Sequence, residues 1–197
     1  MPRKHDSDSE SDDDCESMGV VRVNGSKVYY TGDITEENVT TLIQELKKLE
    51  KKLLKLCIDY EGFDPSITLY INSYGGSVFA GLSAMDHIES SKVPITTVAD
   101  GMCASAATFM LLGGSRRLMK KSAYILIHQL SAGMWGDFKF EELKEEIENN
   151  KKIMKSIINL YEKKTNIPSN KLEKMMKKDI FLNCKRCIKY DIVSACL

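Results

Sequence analysis

Residues 94–114 read PITTVADGMCASAATFMLLGG. The first seven, rich in β-branched and apolar side chains after a proline, predict a strand. The chain then turns through small residues. An apolar run begins at Ser105 and stops at Gly113-Gly114, which predicts a short buried helix. Ser105 stands where strand gives way to helix, and two roles are open to it. Serine is a favoured N-cap, because its oxygen accepts an orphan N–H of the first turn. Among neighbours too small to shield it, the same hydroxyl is also placed to be a nucleophile.

The pattern repeats outward. SITLYIN (66–72) predicts a strand that ends in Ser73-Tyr74-Gly75-Gly76, with a helix following through Ala80, Leu82, Met85 and Ile88. Before it, VVRVNGSKVYYTG (20–32) reads as a hairpin with Asn24-Gly25 as its turn. Thr35 is the expected cap of a helix with Glu36 and Glu37 in its first turn. That helix buries one stripe: Val39, Leu42, Ile43, Leu46, Leu49 and Leu53. After the central unit come short strands RRLMK (116–120) and AYILIHQ (123–129). A long helix is expected from about Phe138 to Lys164, and a short one over 169–177. Asp179-Ile180-Phe181-Leu182, another short helix and a terminal strand DIVSA (191–195) close the chain.

Strands alternating with helices imply an α/β fold with a largely parallel sheet. Ligands in such sheets gather at the carboxyl ends of strands. Gly75-Gly76, Ser105 and His128 all fall at such ends.

The totals narrow the function classes. A chain of 197 residues with 43% apolar content suits one domain. No apolar run reaches the about 18 residues of a membrane span, and the N-terminus has no apolar segment of a secretory signal. A soluble, cytoplasmic protein is expected. Residues 1–18 carry two basic and seven acidic side chains and little apolar content, and are expected to form a disordered acidic tail ahead of a folded domain over 19–197. Ser7, Ser9 and Ser11 lie among these acids, as targets of an acid-directed kinase would. The compensating positive charge is read as spread over lysine-rich helix faces. No basic stripe interleaves with aromatics, so nucleic acid is not implied. The six cysteines are expected to be reduced. Cys184-x-x-Cys187 lacks the second ligand pair of a zinc site and lies too near the C-terminus for a thioredoxin-like redox motif. No metal and no cofactor is expected.

Cleaving an amide needs a nucleophile, a base and donors for the developing oxyanion. Ser105 and His128 supply the first two. Gly75-Gly76 and the N–H of Ala106 supply donors. The surroundings of Ser105 are not G-x-S-x-G, which sets aside an α/β-hydrolase elbow. Asp137, Asp179 and Asp191 all follow His128 and are candidates for the orienting acid; Asp179 borders the apolar run IFL and is expected to be partly buried.

INSYGGSVFAGLSAMDHI, GMCASAATFMLLGG, ILIHQ and KKDIFLNCKRCIKYDIV, in that order, resemble ClpP, the proteolytic subunit of the ATP-dependent Clp protease. The resemblance covers roughly residues 19–197. It implies the crotonase-like ClpP fold with repeated β/α units and the long 138–164 helix as its handle. It implies a serine endopeptidase that cleaves unfolded polypeptides inside a self-compartmentalised ring. Ser105 matches the nucleophile, His128 the base and Asp179 the acid; Gly76 and Ala106 match the oxyanion-hole amides. Heptameric rings stacked as a tetradecamer, and a hexameric AAA+ Clp unfoldase that consumes the ATP, are implied as partners.

Several positions depart from the family pattern. Tyr74 and Leu130 stand where proline is usual, Lys178 where arginine is usual, and NCKRC replaces S-A-x-E-A. HQLSAGMWGD is closer to divergent ClpP-like proteins of viruses and phages. These departures keep three other readings in view: a catalytically inactive ClpP-like ring subunit, a processing protease independent of any ATPase, and a crotonase-type acyl-CoA enzyme.

Overall fold

The computed structural model describes residues 20–131, 133, 137 and 139–197. The acidic tail and the expected helix start at Phe138 lie outside them. The fold is mixed α/β, with six helices around one eight-stranded sheet among the described residues.

Strands β1 (Val21–Asn24) and β2 (Lys27–Thr31) form the hairpin. Its register pairs Asn24 with Lys27, so the two-residue turn is Gly25-Ser26, one step later than Asn24-Gly25. Gly25 has φ 61, and a glycine in the first central position is what one of the two common hairpin turns requires. Helix α1 (Glu36–Asp59) follows, capped by Thr35, whose side chain accepts the Asn38 N–H at 3.1 Å. Val39, Leu42, Leu46, Leu49 and Leu53 are its buried stripe.

Strand β3 (Ile67–Ser73) pairs in parallel with β2 on one side and with β4 (Ile95–Ala104) on the other. Helix α2 (Val78–Glu89) connects them. The strand expected to end at Asp100 continues to Ala104, but it bends. Gly101 sits at φ 94, where an added Cβ would lie 2.9 Å from Asn72 Oδ1, and that oxygen accepts the Met102 N–H at 3.0 Å. The bend divides β4 between two neighbours. Thr96–Ala99 pair with β5 (Arg116–Met119), and Met102–Ala104 pair with β6 (Tyr124–Ile127). Helix α3 (Ala106–Leu112), every residue of it buried, lies between β4 and β5 in the chain.

Helix α4 (Phe140–Lys164) lays Ile157 and Tyr161 on the core and leaves Phe140 and Ile147 exposed. Helix α5 (Ser169–Lys178) ends at Asp179, in the left-handed region at φ 47. Strand β7 (Ile180–Leu182) returns antiparallel to β6. Helix α6 (Cys184–Lys189) and strand β8 (Ala195–Cys196), parallel to β5, complete the fold. The terminal strand is therefore shorter and later than DIVSA, because Asp191 turns the chain at φ 52. No described helix is long and apolar enough to cross a membrane.

The cysteine expectation is corrected at one pair. Cys184 and Cys196 form a disulfide across 12 residues, with Cα atoms 6.2 Å apart, within the range such a bond spans. Sequence spacing gave no sign of it, since the register of β8 brings the two together. Cys187, the other half of the C-x-x-C, stays free, as do Cys57 and Cys103. Burial pushes the Cys187 thiol up to about 12 and the fully buried Cys103 thiol higher still. In native protein at pH 8, a thiol reagent is therefore expected to label Cys57 first among the free cysteines of the described residues. Cys103 and Cys187 should react only at the rate of opening, since thiolate and access are both needed. Equal labelling of all three, followed by peptide mapping, would refute their burial.

Candidate active site

Ser105 closes β4 in an unusual conformation, φ 55 and ψ −127. Backbone held off the favoured regions costs about 1–3 kcal/mol and persists only where the surroundings enforce it. Here both ends are fixed. The Ser105 N–H donates to the Leu126 carbonyl at 2.9 Å, and its own carbonyl accepts the Thr108 N–H at 2.9 Å and the Thr108 hydroxyl at 2.6 Å. The capping role is not taken up: Ser105 Oγ makes no hydrogen bond to the first turn of α3. The side chain is half-buried, and its hydroxyl is uncommitted among the described residues.

Glycines make room for it. A Cβ on Gly75 would stand 2.6 Å from Ser105 Cβ. Gly76, at φ 146, lies so close to Ile34 that its Cβ would meet the Ile34 carbonyl oxygen at 2.3 Å. Two bonds hold that approach. The Ile34 N–H donates to Gly75 O and the Ser77 N–H to Ile34 O, each at 2.8 Å. The Gly75 N–H is used by Ser73 Oγ at 3.0 Å. The Gly76 N–H has no partner among the described residues, nor does that of Ala106 at the start of α3, where helix amides are orphaned.

His128 follows β6, which is hydrogen-bonded to the same three residues of β4 that lead to Ser105. Its imidazole is half-buried, and Nδ1 lies 2.7 Å from the Gln129 carbonyl. A carbonyl only accepts, so the bond assigns the proton to Nδ1 and leaves the Nε2 lone pair free, the tautomer a general base needs. Ser105, His128 and Gly76 line one cavity of about 280 Å³, walled by Val78, Phe109 and Ile157. Tyr74, 76% exposed, stands at its rim. At the inner end the Tyr161 hydroxyl is hydrogen-bonded to Thr108 Oγ1, and burial pushes the phenol far above its usual range.

Asp179 is placed by register. The antiparallel ladder ends with Ile127 paired with Ile180, and His128 and Asp179 are the next residues beyond that last pair. The left-handed turn at Asp179 ends the ladder there. The residue expected to be partly buried is exposed. Among the described residues no hydrogen bond joins His128 to Asp179, or Ser105 to His128. Of the other acids considered, Asp191 is engaged with Arg117 at 3.5 Å, and Asp137 is exposed. Among the described residues no three His, Cys, Asp or Glu side chains gather as a metal site.

Sequence reading missed the walls of this cavity. Ile157 and Tyr161 are one helical turn apart, and that spacing was the available signal.

The Clp protease family model matches residues 20–197. The chain belongs to the Clp protease family. Relatives named ATP-dependent Clp protease proteolytic subunit include one from Deinococcus radiodurans (strain ATCC 13939), 31% identical over 140 residues, covering 70% of this chain and 68% of the relative. The subunit from Mesostigma viride is 36% identical over 129 residues, 64% of this chain and 56% of the relative. That from Borrelia garinii subsp. bavariensis is 29% identical over 174 residues, 86% and 83%. The chain thus spans little more than half the length of the Mesostigma protein. As a Clp protease family member it has the mixed α/β fold expected of ClpP.

Proposed function

We propose that this Clp-family chain is a serine endopeptidase in which Ser105 attacks the peptide carbonyl and His128 takes its proton. In this reading Asp179 holds the imidazole and stabilises the imidazolium. The amides of Gly76 and Ala106 hold the oxyanion, and water then releases the acyl-enzyme. The observation that carries the proposal is the Ser105 hydroxyl, uncommitted on a strained turn, facing the same cavity as His128 and the unpartnered Gly76 amide. Active sites enclosed by stacked seven-membered rings, with a Clp ATPase supplying unfolded polypeptide, belong to the same proposal. They draw support from family membership and from the relatives' printed name.

A second reading rests on the unjoined triad. His128 Nδ1 is held by the Gln129 carbonyl and Asp179 faces solvent. A chain resting in that arrangement would be an inactive ring subunit, or one that is activated by assembly.

Fluorophosphonate labelling of the wild type and of His128→Ala, with particle mass measured on the same samples, separates the two. A working base predicts rapid labelling at Ser105 and a drop of about 10²-fold or more without the imidazole. Equal, slow labelling of both proteins in particles of the same mass favours the inactive subunit.

A further inference from the structure

Residues 169–189 contain seven cationic side chains and two carboxylates, Glu173 and Asp179, a net +5. Residues 1–18 are net −5 and the whole chain is formally neutral, so everything else sums to zero. The surplus expected to be spread over helix faces is concentrated in α5, β7 and α6.

Those elements shape a groove. A cavity of about 380 Å³ is lined by Lys171, Lys174, Arg186 and Lys189, over Met175 and Ile180. No carboxylate lines it. Lys171 is fixed at one end, donating to the Tyr190 hydroxyl at 3.2 Å and lying over its ring. Among the described residues, Lys174, Arg186 and Lys189 have no ion-pair partner. On the other lysine-rich helices some of the cations are paired. Lys48 pairs with Glu45, Lys144 with Glu141 and Lys151 with Glu148. The cavity beside α1 is lined by Glu50 as well as Lys47.

We propose that this groove is the docking site of the chain's own acidic segment, Asp6–Glu16. Charge complementarity is one support: seven acids against a seven-cation surface, with no other net charge on the molecule. Reach is the second. From β1, where the segment joins the fold, to β8 beside α6 the sheet crosses five strand spacings, about 24 Å. The 15 residues from Asp6 to β1 span about 50 Å when extended, so the acids at the far end of the segment have the reach to enter the groove. Tethering also raises the segment's effective concentration toward the millimolar range, which makes weak, screened contacts sufficient.

Carbodiimide cross-linking of the full-length chain at low salt, with peptide mapping, tests the proposal by joining carboxylates to lysine amines. Cross-links from residues 6–16 are expected to concentrate on Lys171, Lys174 and Lys189. They should fall at least several-fold in Lys174→Gln/Lys189→Gln, an exposed pair whose loss leaves the core intact. They should vanish near 1 M salt, where the Debye length is about 3 Å. Cross-links that fall mainly on Lys47, Lys48, Lys51 and Lys52 of α1, or that persist in the double variant, overturn it. So does a single-stranded oligonucleotide that binds the groove while leaving the cross-links unchanged.

Discussion

Ser105→Ala is expected to reduce peptidase turnover by a factor on the order of 10⁵–10⁶, the scale seen when a triad nucleophile is removed. Stability should hardly change. The Ser105 hydroxyl makes no hydrogen bond among the described residues, and alanine keeps the Cβ, so the left-handed strain at φ 55 is the same in both proteins. A shift within about 0.5 kcal/mol is the expectation for such a change. Release of a fluorogenic peptide and a thermal melt, measured on the same preparation, check both halves. Undiminished turnover in a well-folded variant would remove Ser105 from the chemistry. Loss of turnover with a large fall in melting temperature would mean that the hydroxyl is structural.

Gly76→Ala is expected to lose activity and stability together. The new Cβ would stand 2.3 Å from the Ile34 carbonyl oxygen, at a φ of 146 that side chains rarely adopt. The obstacle is backbone, fixed by two 2.8 Å bonds, so the loop must move. Adverse backbone conformation and overpacking together suggest about 2–4 kcal/mol, or a melting temperature lower by roughly 5–10 °C. The same displacement takes the free amide away from the oxyanion it would hold, and one lost oxyanion donor costs about 10²–10³ in kcat. Gly25→Ala is the control. It too has positive φ, 61, but open space around it and no site nearby. A stability loss of about 1–2 kcal/mol with unchanged kcat is expected. Equal kinetic damage from both variants would show that the effect at Gly76 is not local to the site.

Much of this molecule was legible from local pattern. Helical spacing marked the buried stripe of α1, Thr35 marked its cap, and the strand–serine–helix junction at Ser105 falls where the chain does pass from β4 to α3. Each of these is a short-range property. What escaped depends on contacts distant in the chain. The bend at Gly101 is required by Asn72, which lies on another strand. The Cys184–Cys196 bond depends on where β8 docks. The exposure of Asp179 follows from a left-handed residue that its sequence neighbours do not announce. The hairpin turn was misplaced by one residue because Asn24-Gly25 and Gly25-Ser26 both carry turn chemistry, and only the register decides between them.

The forked sheet has a mechanical corollary. Beyond the kink, β4 is tied to β6 on one side and, through Cys103 and Ser73, to β3 on the other, and Ser105 and His128 both follow directly on the short β4–β6 ladder. The carboxylate of Asp179 sits instead at the end of α5, just ahead of β7 on the far side of β6. Two of the three proposed triad members thus share one ladder, and the third depends on where α5 stops and β7 begins.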